Sequence, residues 1–405
     1  MKRVVIGLSG GVDSSVAAYL LQERGYDVTA LFMRNWHDTE GTLSGECPFE
    51  EDVIFAELVA RKLDIPFHVV DLSRQYRKRV VDYMFAEYER GRTPNPDVLC
   101  NREIKFDAFV EEAVKLGADY VATGHYCRKD SMTEADGTMA YRLLAGTDGN
   151  KDQSYFLCQL SQEQLSRALF PIGDMDKPKV RDIAARLELA TARRKDSQGI
   201  CFVGKVDLPS FLGQKLAARR GDIVEIEASS PLYDERRLAP DDITESYGLD
   251  ISAVREAALP YRYTEADGRA VGTHNGAHFF TVGQRKGLKV GGRKEPLFVI
   301  GTDTKRNIIY TGEGHDHPGL LRRALFIRAD EQHWIRPSQR MAPNESRRYS
   351  IRIRYRQPLQ SGTLYCSKEG LYAVFDTPQR GITPGQFAAW YAEDGELIGS
   401  GVINS

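Results

Sequence analysis

The stretch from Val4 to Leu21 limits the possible folds more than any other part of the chain. An apolar run, Val4-Val5-Ile6, breaks into Gly7-Leu8-Ser9-Gly10-Gly11-Val12-Asp13-Ser14-Ser15 and then passes into a second one, Val16-Ala17-Ala18-Tyr19-Leu20-Leu21. Strand, glycine turn, helix is the order that builds a phosphate cradle. Two adjacent glycines let a turn aim backbone N–H groups at one point. The helix that follows adds its positive end to the same point. Ser9, Ser14 and Ser15 bring hydroxyls, and Asp13 is placed to hold a metal ion or to cap the helix. The bland reading is a glycine turn that only joins a buried strand to a helix.

The loop is informative by what it lacks. It has neither the Gly-x-x-x-x-Gly-Lys-Ser/Thr of the common nucleotide triphosphatases nor the Gly-x-Gly-x-x-Gly of dinucleotide binders. SGGVDSS after a strand resembles instead the pyrophosphate loop of the adenylating ATP hydrolases, which cut ATP between its α- and β-phosphates.

Apolar periodicity continues the alternation. Strands are expected at 28–33, 67–72 and 120–125, with a short one at 141–145. Helices are expected over 51–63, about 74–90, 103–116 and 161–190. Strands separated by helices imply an α/β fold with a doubly wound parallel sheet, and ligands then bind at the carboxyl ends of its strands. Met33 and Gly124 stand at two such ends, Met33 as an apolar wall for an adenine ring. From residue 206 the texture changes to short helices and an acidic connection. His278–Val282 leads into a hairpin-like turn at 283–287, and strands are expected at 298–302 and 307–311. The tail carries turn signals every roughly 8–12 residues, as an all-β sandwich or barrel does. A chain of 405 residues exceeds what one core supports. The expected division is 1–204, a nucleotide-binding domain; 205–314, a small mixed domain with an acidic insertion at about 225–265; and 315–405, a β-barrel.

The net charge of −2 hides an asymmetry: residues 222–268 hold 12 acidic and 4 basic side chains, which leaves +6 for the remainder. That remainder is compatible with a polyanionic partner. No apolar run approaches the roughly 20 residues of a membrane span, and no signal peptide is visible, so a cytoplasmic protein without membrane attachment is expected. The 6 cysteines include no Cys-x-x-Cys pair, which argues against a zinc or iron–sulfur site built from them alone. Cys47, Cys127, Cys158 and Cys366 read as structural.

Two cysteines have local reasons to be reactive. Pro94-Asn95-Pro96-Asp97-Val98-Leu99-Cys100-Asn101 reads as a proline-fixed loop that leaves Cys100 just before a helix N-terminus, where a thiolate is favoured. Asp97 is close enough to exchange a proton. The same window is equally a turn capped by Asn101 around a buried cysteine. In Lys195-Asp196-Ser197-Gln198-Gly199-Ile200-Cys201, the bases Arg193, Arg194 and Lys195 favour a thiolate at Cys201, or Cys201 is a core residue of a strand. Lys151-Asp152-Gln153 is a polar turn fit for phosphate contacts or for solvent. Arg352, Arg354 and Arg356 alternate with Ile351, Ile353 and Tyr355, which on a strand puts three guanidinium groups on one face.

Together these windows resemble one family, the bacterial tRNA-specific 2-thiouridylases of the pyrophosphate-loop superfamily. The matching pieces are GLSGGVDSS at 7–15, LFMRNW at 31–36, GRTPNPDVLCNREIKF at 91–106, ATGHY at 122–126, KDQSYFL at 151–157, KDSQGICFVG at 195–204, GQRKGL at 283–288 and RYRQ at 354–357. The resemblance implies ATP and Mg2+ bound at Gly7, Leu8, Ser9, Gly10, Gly11, Val12, Asp13 and Ser14, with Met33 and Gly124 lining the adenine pocket. No further metal site is implied. It implies tRNA for Lys, Glu and Gln as partner, gripped partly by the C-terminal domain. Asn95, Pro96 and Asp97 would meet the target base, and Lys151, Asp152, Gln153, Arg354, Tyr355, His125 and Gln386 would contact tRNA. The wobble uridine would be adenylated at its C2 oxygen. Cys201 would carry a persulfide from a sulfur-relay protein or cysteine desulfurase. Cys100 would be the nucleophile that ends in a disulfide with Cys201, and Asp97 a general acid or base. The acidic insertion departs from the compact family pattern and is expected to lie away from the tRNA face. Another adenylating synthetase with the same loop, or a tRNA-binding protein with an inert nucleotide site, are the alternatives.

Overall fold

A computed structural model describes residues 1–36, 48–195, 208–234 and 251–404. In the first part, β1 (Arg3–Gly7) enters α1 (Val12–Glu23), β2 (Asp27–Arg34), α2 (Pro48–Lys62) and β3 (Phe67–Asp71). Next come α3 (Ser73–Tyr76), a π-helical stretch (Arg77–Val81) and α4 (Asp82–Glu89). Then α5 (Pro96–Leu99), a second π-helical stretch (Cys100–Ala108) and α6 (Phe109–Lys115) lead to β4 (Tyr120–Ala122). The hairpin β5 (Cys127–Thr133) and β6 (Met139–Ala145), α7 (Gln162–Arg167), β7 (Ala168–Leu169) and α8 (Lys177–Arg186) complete this part. The sheet runs β3-β2-β1-β4-β7, and each neighbouring pair in it is parallel. The chain winds outward from β1 to β2 and β3 and then returns to the other side of β1 as β4. The crevice beyond the ends of β1 and β4 is therefore the switch point where such sheets bind ligands. Val4, Ile6, Val16, Ala17, Ala30, Val121 and Ala122 fill the core beneath it.

After α9 (Leu208–Gly213), β8 (Gly221–Glu225), α10 (Ile251–Ala258), β9 (Arg269–His274), β10 (Leu297–Asp303) and β11 (Ile308–Glu313) form the middle of the chain, with a mixed sheet of order β10-β11-β8-β9. The remainder is a seven-stranded antiparallel sheet of β12 (Leu321–Arg328), β13 (Gln332–Trp334), β14 (Ser346–Arg352), β15 (Gln360–Cys366), β16 (Gly370–Arg380), β17 (Phe387–Tyr391) and β18 (Leu397–Val402). It curls until Phe326 of β12 bridges to Asn404 beyond β18. Leu325, Ile351, Leu364, Phe375 and Trp390 pack inside the curl. On the outside Val254 and Ala258 of α10 cover Ala324, Tyr372 and Val374. Phe387, Ala389 and Tyr391 pack into the core of the first part, which fixes the two against each other.

Several expectations change. Residues 161–190 are not continuously helical, because β7 interrupts them to pair with β4. Strands β5 and β8 were not expected. The approach to the turn at 283–287 begins with a 3-10 turn at Ala277–Phe279. The helix after the proline loop starts at Pro96, so Cys100 lies one turn inside it. Proline is at home in the first helical turn, and Asn95 supplies the cap. The arginine row does not form, because β14 ends at Arg352. The chain then turns, with Gln357 N–H donating to the Arg354 carbonyl at 3.2 Å, just before Pro358, which cannot donate to a ladder. Cys47, Cys201 and most of the segment 193–203 fall outside the described residues, as does the stretch 235–250 of the acidic insertion.

Candidate functional site

Local chemistry shapes the loop between β1 and α1. Gly10 has φ +73°, and a Cβ there would stand 2.3 Å from the Asp52 carbonyl oxygen, so a side chain is excluded on both counts. Ser9 N–H donates to Ser14 Oγ at 3.1 Å, and Ser15 Oγ donates to the Gly11 carbonyl at 2.8 Å. Gly11 caps α1 without a side chain, so no cap competes for the first N–H groups of the helix. The loop is braced from outside by Arg194, which donates to the Gly10 carbonyl at 2.8 Å and to Asp52 Oδ1 at 2.7 Å. Burial pushes the Asp52 carboxyl up, and Arg194 opposes the shift. Gly124, just past β4, meets the loop from the other side; a Cβ on it would lie 2.7 Å from Ser14 N. Met33 is buried at the end of β2, with its methyl 3.4 Å from where a Gly7 Cβ would be.

Asp13 is engaged on both oxygens. Lys177 Nζ lies 2.8 Å from each of them, and the Tyr126 hydroxyl donates to Oδ1 at 2.7 Å. Tyr126 in turn exchanges two hydrogen bonds with Gln153: its N–H donates to Gln153 Oε1 at 3.0 Å, and Gln153 N–H donates to its carbonyl at 2.9 Å. The neighbouring Asp152 is buried. It accepts the Gly146 and Ser154 N–H groups at 3.0 Å each and the Arg352 guanidinium at 3.1 Å. Two residues of the polar turn thus connect the β1–α1 loop to the C-terminal sheet. Tyr355 stacks on Phe156 at 4.2 Å between ring centres, and Lys151 lies near enough to lower the Tyr355 pKa against the upward push of burial.

The helix of Cys100 is capped by Asn95, whose side chain accepts Val98 N–H at 3.3 Å, while Asn101 donates back to the Asp97 carbonyl at 2.9 Å. Cys100 is buried and Asp97 is half-buried. Nine residues further along, past a break in the helix at Phe106 (φ −114°, ψ 15°), Phe109 at the start of α6 packs 3.6 Å from the Cβ position of Gly7. The consecutive segments α5, the π-helical stretch and α6 therefore carry both Cys100 and the residue that packs against the β1–α1 loop. Gln386 ties the loop before Cys100 to the C-terminal sheet. Its amide donates to the Thr93 and Pro94 carbonyls at 3.0 and 3.1 Å and accepts from Asn95 at 3.4 Å. Beside it opens a hollow of about 290 Å³ lined by Thr281, Gly283, Gln284, Arg354, Thr383 and Gln386. Arg354 holds this wall by donating to the Gly381 carbonyl at 2.8 Å and to Thr383 Oγ1 at 3.1 Å.

His125 is buried against Phe106 and Phe170 and shares a 2.7 Å hydrogen bond with Thr123 Oγ1. Burial, and then the charge of Lys105, holds its pKa well below the ordinary value, so it is neutral. Cys127 and Cys158 are buried thiols whose pKa values burial raises, to about 12 for Cys158. They are not nucleophiles at neutral pH. Lys177, Arg194 and Tyr126 belong to the site although the sequence reading gave them no role in it. Lys177 stands between Asp176 and Pro178, a local signal of a helix start that says nothing of a partner 164 residues away. Arg194, which the sequence sets close before Cys201, also braces the loop.

Compared with known proteins, residues 2–205 match a family model described as tRNA methyl transferase HUP domain. Residues 261–313 match the tRNA methyl transferase PRC-barrel domain, and 325–403 the aminomethyltransferase beta-barrel domain. A protein of Christiangramia forsetii named tRNA-specific 2-thiouridylase MnmA is 59% identical over 404 residues, which is 100% of both chains. One of Flavobacterium johnsoniae with the same name is 58% identical over 404 residues, again 100% of both. One of Pseudomonas aeruginosa, also so named, is 42% identical over 412 residues, covering 100% of this chain and 95% of that one.

Proposed function

The chain belongs to the family of tRNA-specific 2-thiouridylases, and from that premise we propose how its residues divide the reaction. The protein is an ATP-dependent enzyme that puts sulfur on a uridine of tRNA. Residues 7–14 hold the ATP, with Met33 and Gly124 against the adenine. The Asp13 carboxylate and the Ser14 hydroxyl are the hard oxygen donors a magnesium ion takes. When bound, that ion neutralises phosphate charge. The wobble uridine of tRNA for Lys, Glu and Gln enters between Gly7 and Cys100, met by Asn95, Pro96 and Asp97. Lys151, Gln153, Arg354, Tyr355 and Gln386 orient the RNA around it. Asp152 and His125, both buried and bonded within the protein, act by positioning their neighbours.

The C2 oxygen attacks the α-phosphate, forming a C2–O–AMP ester and releasing pyrophosphate. A urea-like carbonyl is a poor electrophile, and this step turns its oxygen into a leaving group. A persulfide on Cys201, delivered by a sulfur-relay protein or desulfurase, attacks C2 with its terminal sulfur, and AMP departs. The Cys100 thiolate then attacks Cys201 Sγ. The S–S bond breaks, its electron pair stays on the sulfur left on C2, and a Cys100–Cys201 disulfide forms. A cellular dithiol reduces that disulfide before the next turnover. Asp97 handles the protons. The chain works as the segments 1–204, 205–314 and 315–405, in the cytoplasm.

What supports this assignment is that the consecutive segments α5, the π-helical stretch and α6 carry Cys100 and, nine residues on, Phe109, which packs against Gly7 of the ATP loop, so that activation and sulfur transfer share one neighbourhood. The test is to supply the enzyme with ATP, tRNA and a persulfide donor and to weigh the wobble nucleoside. Wild type should add 16 mass units, about the difference between sulfur and oxygen. Cys100→Ser should still release pyrophosphate in the presence of tRNA and yield no thiouridine. Full product from Cys100→Ser would reject the assignment.

A further inference from the structure

The pairing of Asp13 with a buried lysine has a consequence for ATP. Lys177 is the first residue of α8, and only a tenth of its side chain is exposed. Its ammonium faces both oxygens of Asp13 at 2.8 Å and lies 5.7 Å from the centre of the Tyr126 ring. Asp13 sits in the first turn of α1, where the helix dipole and nearby N–H groups already favour a carboxylate. Burying a lysine costs desolvation that a single ion pair barely offsets, so such a pair alone is weak support for the fold. The same ammonium sits beside the start of α1, whose Gly11 cap offers the first helical N–H groups no side-chain acceptor. A polyphosphate carries several times the charge of Asp13 and would compete for it.

We propose that Lys177 is a phosphate-binding residue of the ATP site. Asp13 stores it in the free protein, and it turns onto the β- and γ-phosphates when ATP enters. There it balances the charge that grows on pyrophosphate as it leaves. Tyr126 keeps Asp13 in place once the lysine has moved. The inference rests on reading residues 7–14 as an ATP site.

Nucleotide binding to the full-length protein without tRNA, measured by calorimetry, tests it with magnesium ATP, pyrophosphate and AMP. Wild type should prefer ATP to AMP. Lys177→Met should weaken ATP and pyrophosphate by at least about tenfold, the size of a lost charge-assisted hydrogen bond, and leave AMP within about twofold. Lys177→Arg should restore most of the ATP affinity. Lys177→Gln keeps a donor toward Asp13 without the charge and should behave like the Met variant, which guards against a folding defect in the latter. Wild-type ATP affinity in both neutral variants, or an equal loss of ATP and AMP, would overturn the role of Lys177. A wild-type protein with no preference for ATP over AMP would instead reject the reading of the loop.

Discussion

Gly124→Ala is the sharpest test of how the phosphate loop is held. The added Cβ would stand 2.7 Å from Ser14 N, 2.8 Å from the Asp13 carbonyl carbon and 3.0 Å from Ser14 Cα. Ordinary contact begins near 3.4 Å, so something must give by about 0.7 Å. All three atoms are backbone, and no rotamer change relieves the clash. Ser14 is buried and its hydroxyl bonds Ser9 N–H and the Gly11 carbonyl, so any shift of residues 13–14 carries the whole loop with it. Overpacking of this kind costs about 1–3 kcal/mol. A displacement approaching 1 Å in a group that positions substrate can cost up to about a hundredfold in rate. We expect kcat/KM for ATP to fall roughly ten- to hundredfold, with a lowered urea midpoint and tRNA affinity unchanged in a filter-binding assay. Gly149→Ala is the control, because nothing lies within 4 Å of its Cβ position, and it should behave as wild type. Unchanged ATP saturation in Gly124→Ala would refute the claim that close approach of β4 to the loop sets its geometry.

Three other perturbations follow from the same contacts. Arg352→Met leaves the buried Asp152 carboxylate without its cation and should cost about 3–5 kcal/mol in urea unfolding; a loss below 1 kcal/mol would show that the Gly146 and Ser154 N–H groups suffice alone. Burial, as the leading cause, lowers the pKa of His125, His274, His278, His317 and His333 below their ordinary 6.5. The unfolded chain then binds more protons, so stability should fall as pH drops below about 6.5 toward the folded values, and His125→Gln should flatten part of that fall in a series of urea midpoints. Replacing residues 235–250 by a neutral Gly/Ser linker of equal length should leave tRNA affinity unchanged; a large gain would place the acidic charge on the RNA face, and a large loss would show that the segment itself contributes to binding.

The sequence by itself determined the strand–glycine turn–helix at residues 3–23, the parallel sheet around it and the antiparallel β tail. These are consequences of local chemistry. A positive φ at Gly10, a strand before it and a helix after it are written within a dozen residues, and period-2 and period-3.6 patterns need no knowledge of distant partners. The Cys100 window reads as a loop before a helix and is instead helical from Pro96, since the choice between Asn95 and Asn101 as cap depends on which side chain finds an N–H. Tertiary structure alone decided where the charges go. Arg352 looked like one of three arginines for RNA and is a buried partner of Asp152, 200 residues away. Lys177 carried no signal and faces Asp13 across 164 residues. Gln386 meets Asn95 from 291 residues away. With 55 basic and 57 acidic side chains in the chain, every such pairing has dozens of rivals. Only the packing of β14 against the first domain, and of α8 against α1 within it, selects one, because desolvation leaves a buried charge no alternative to the partner the fold brings to it.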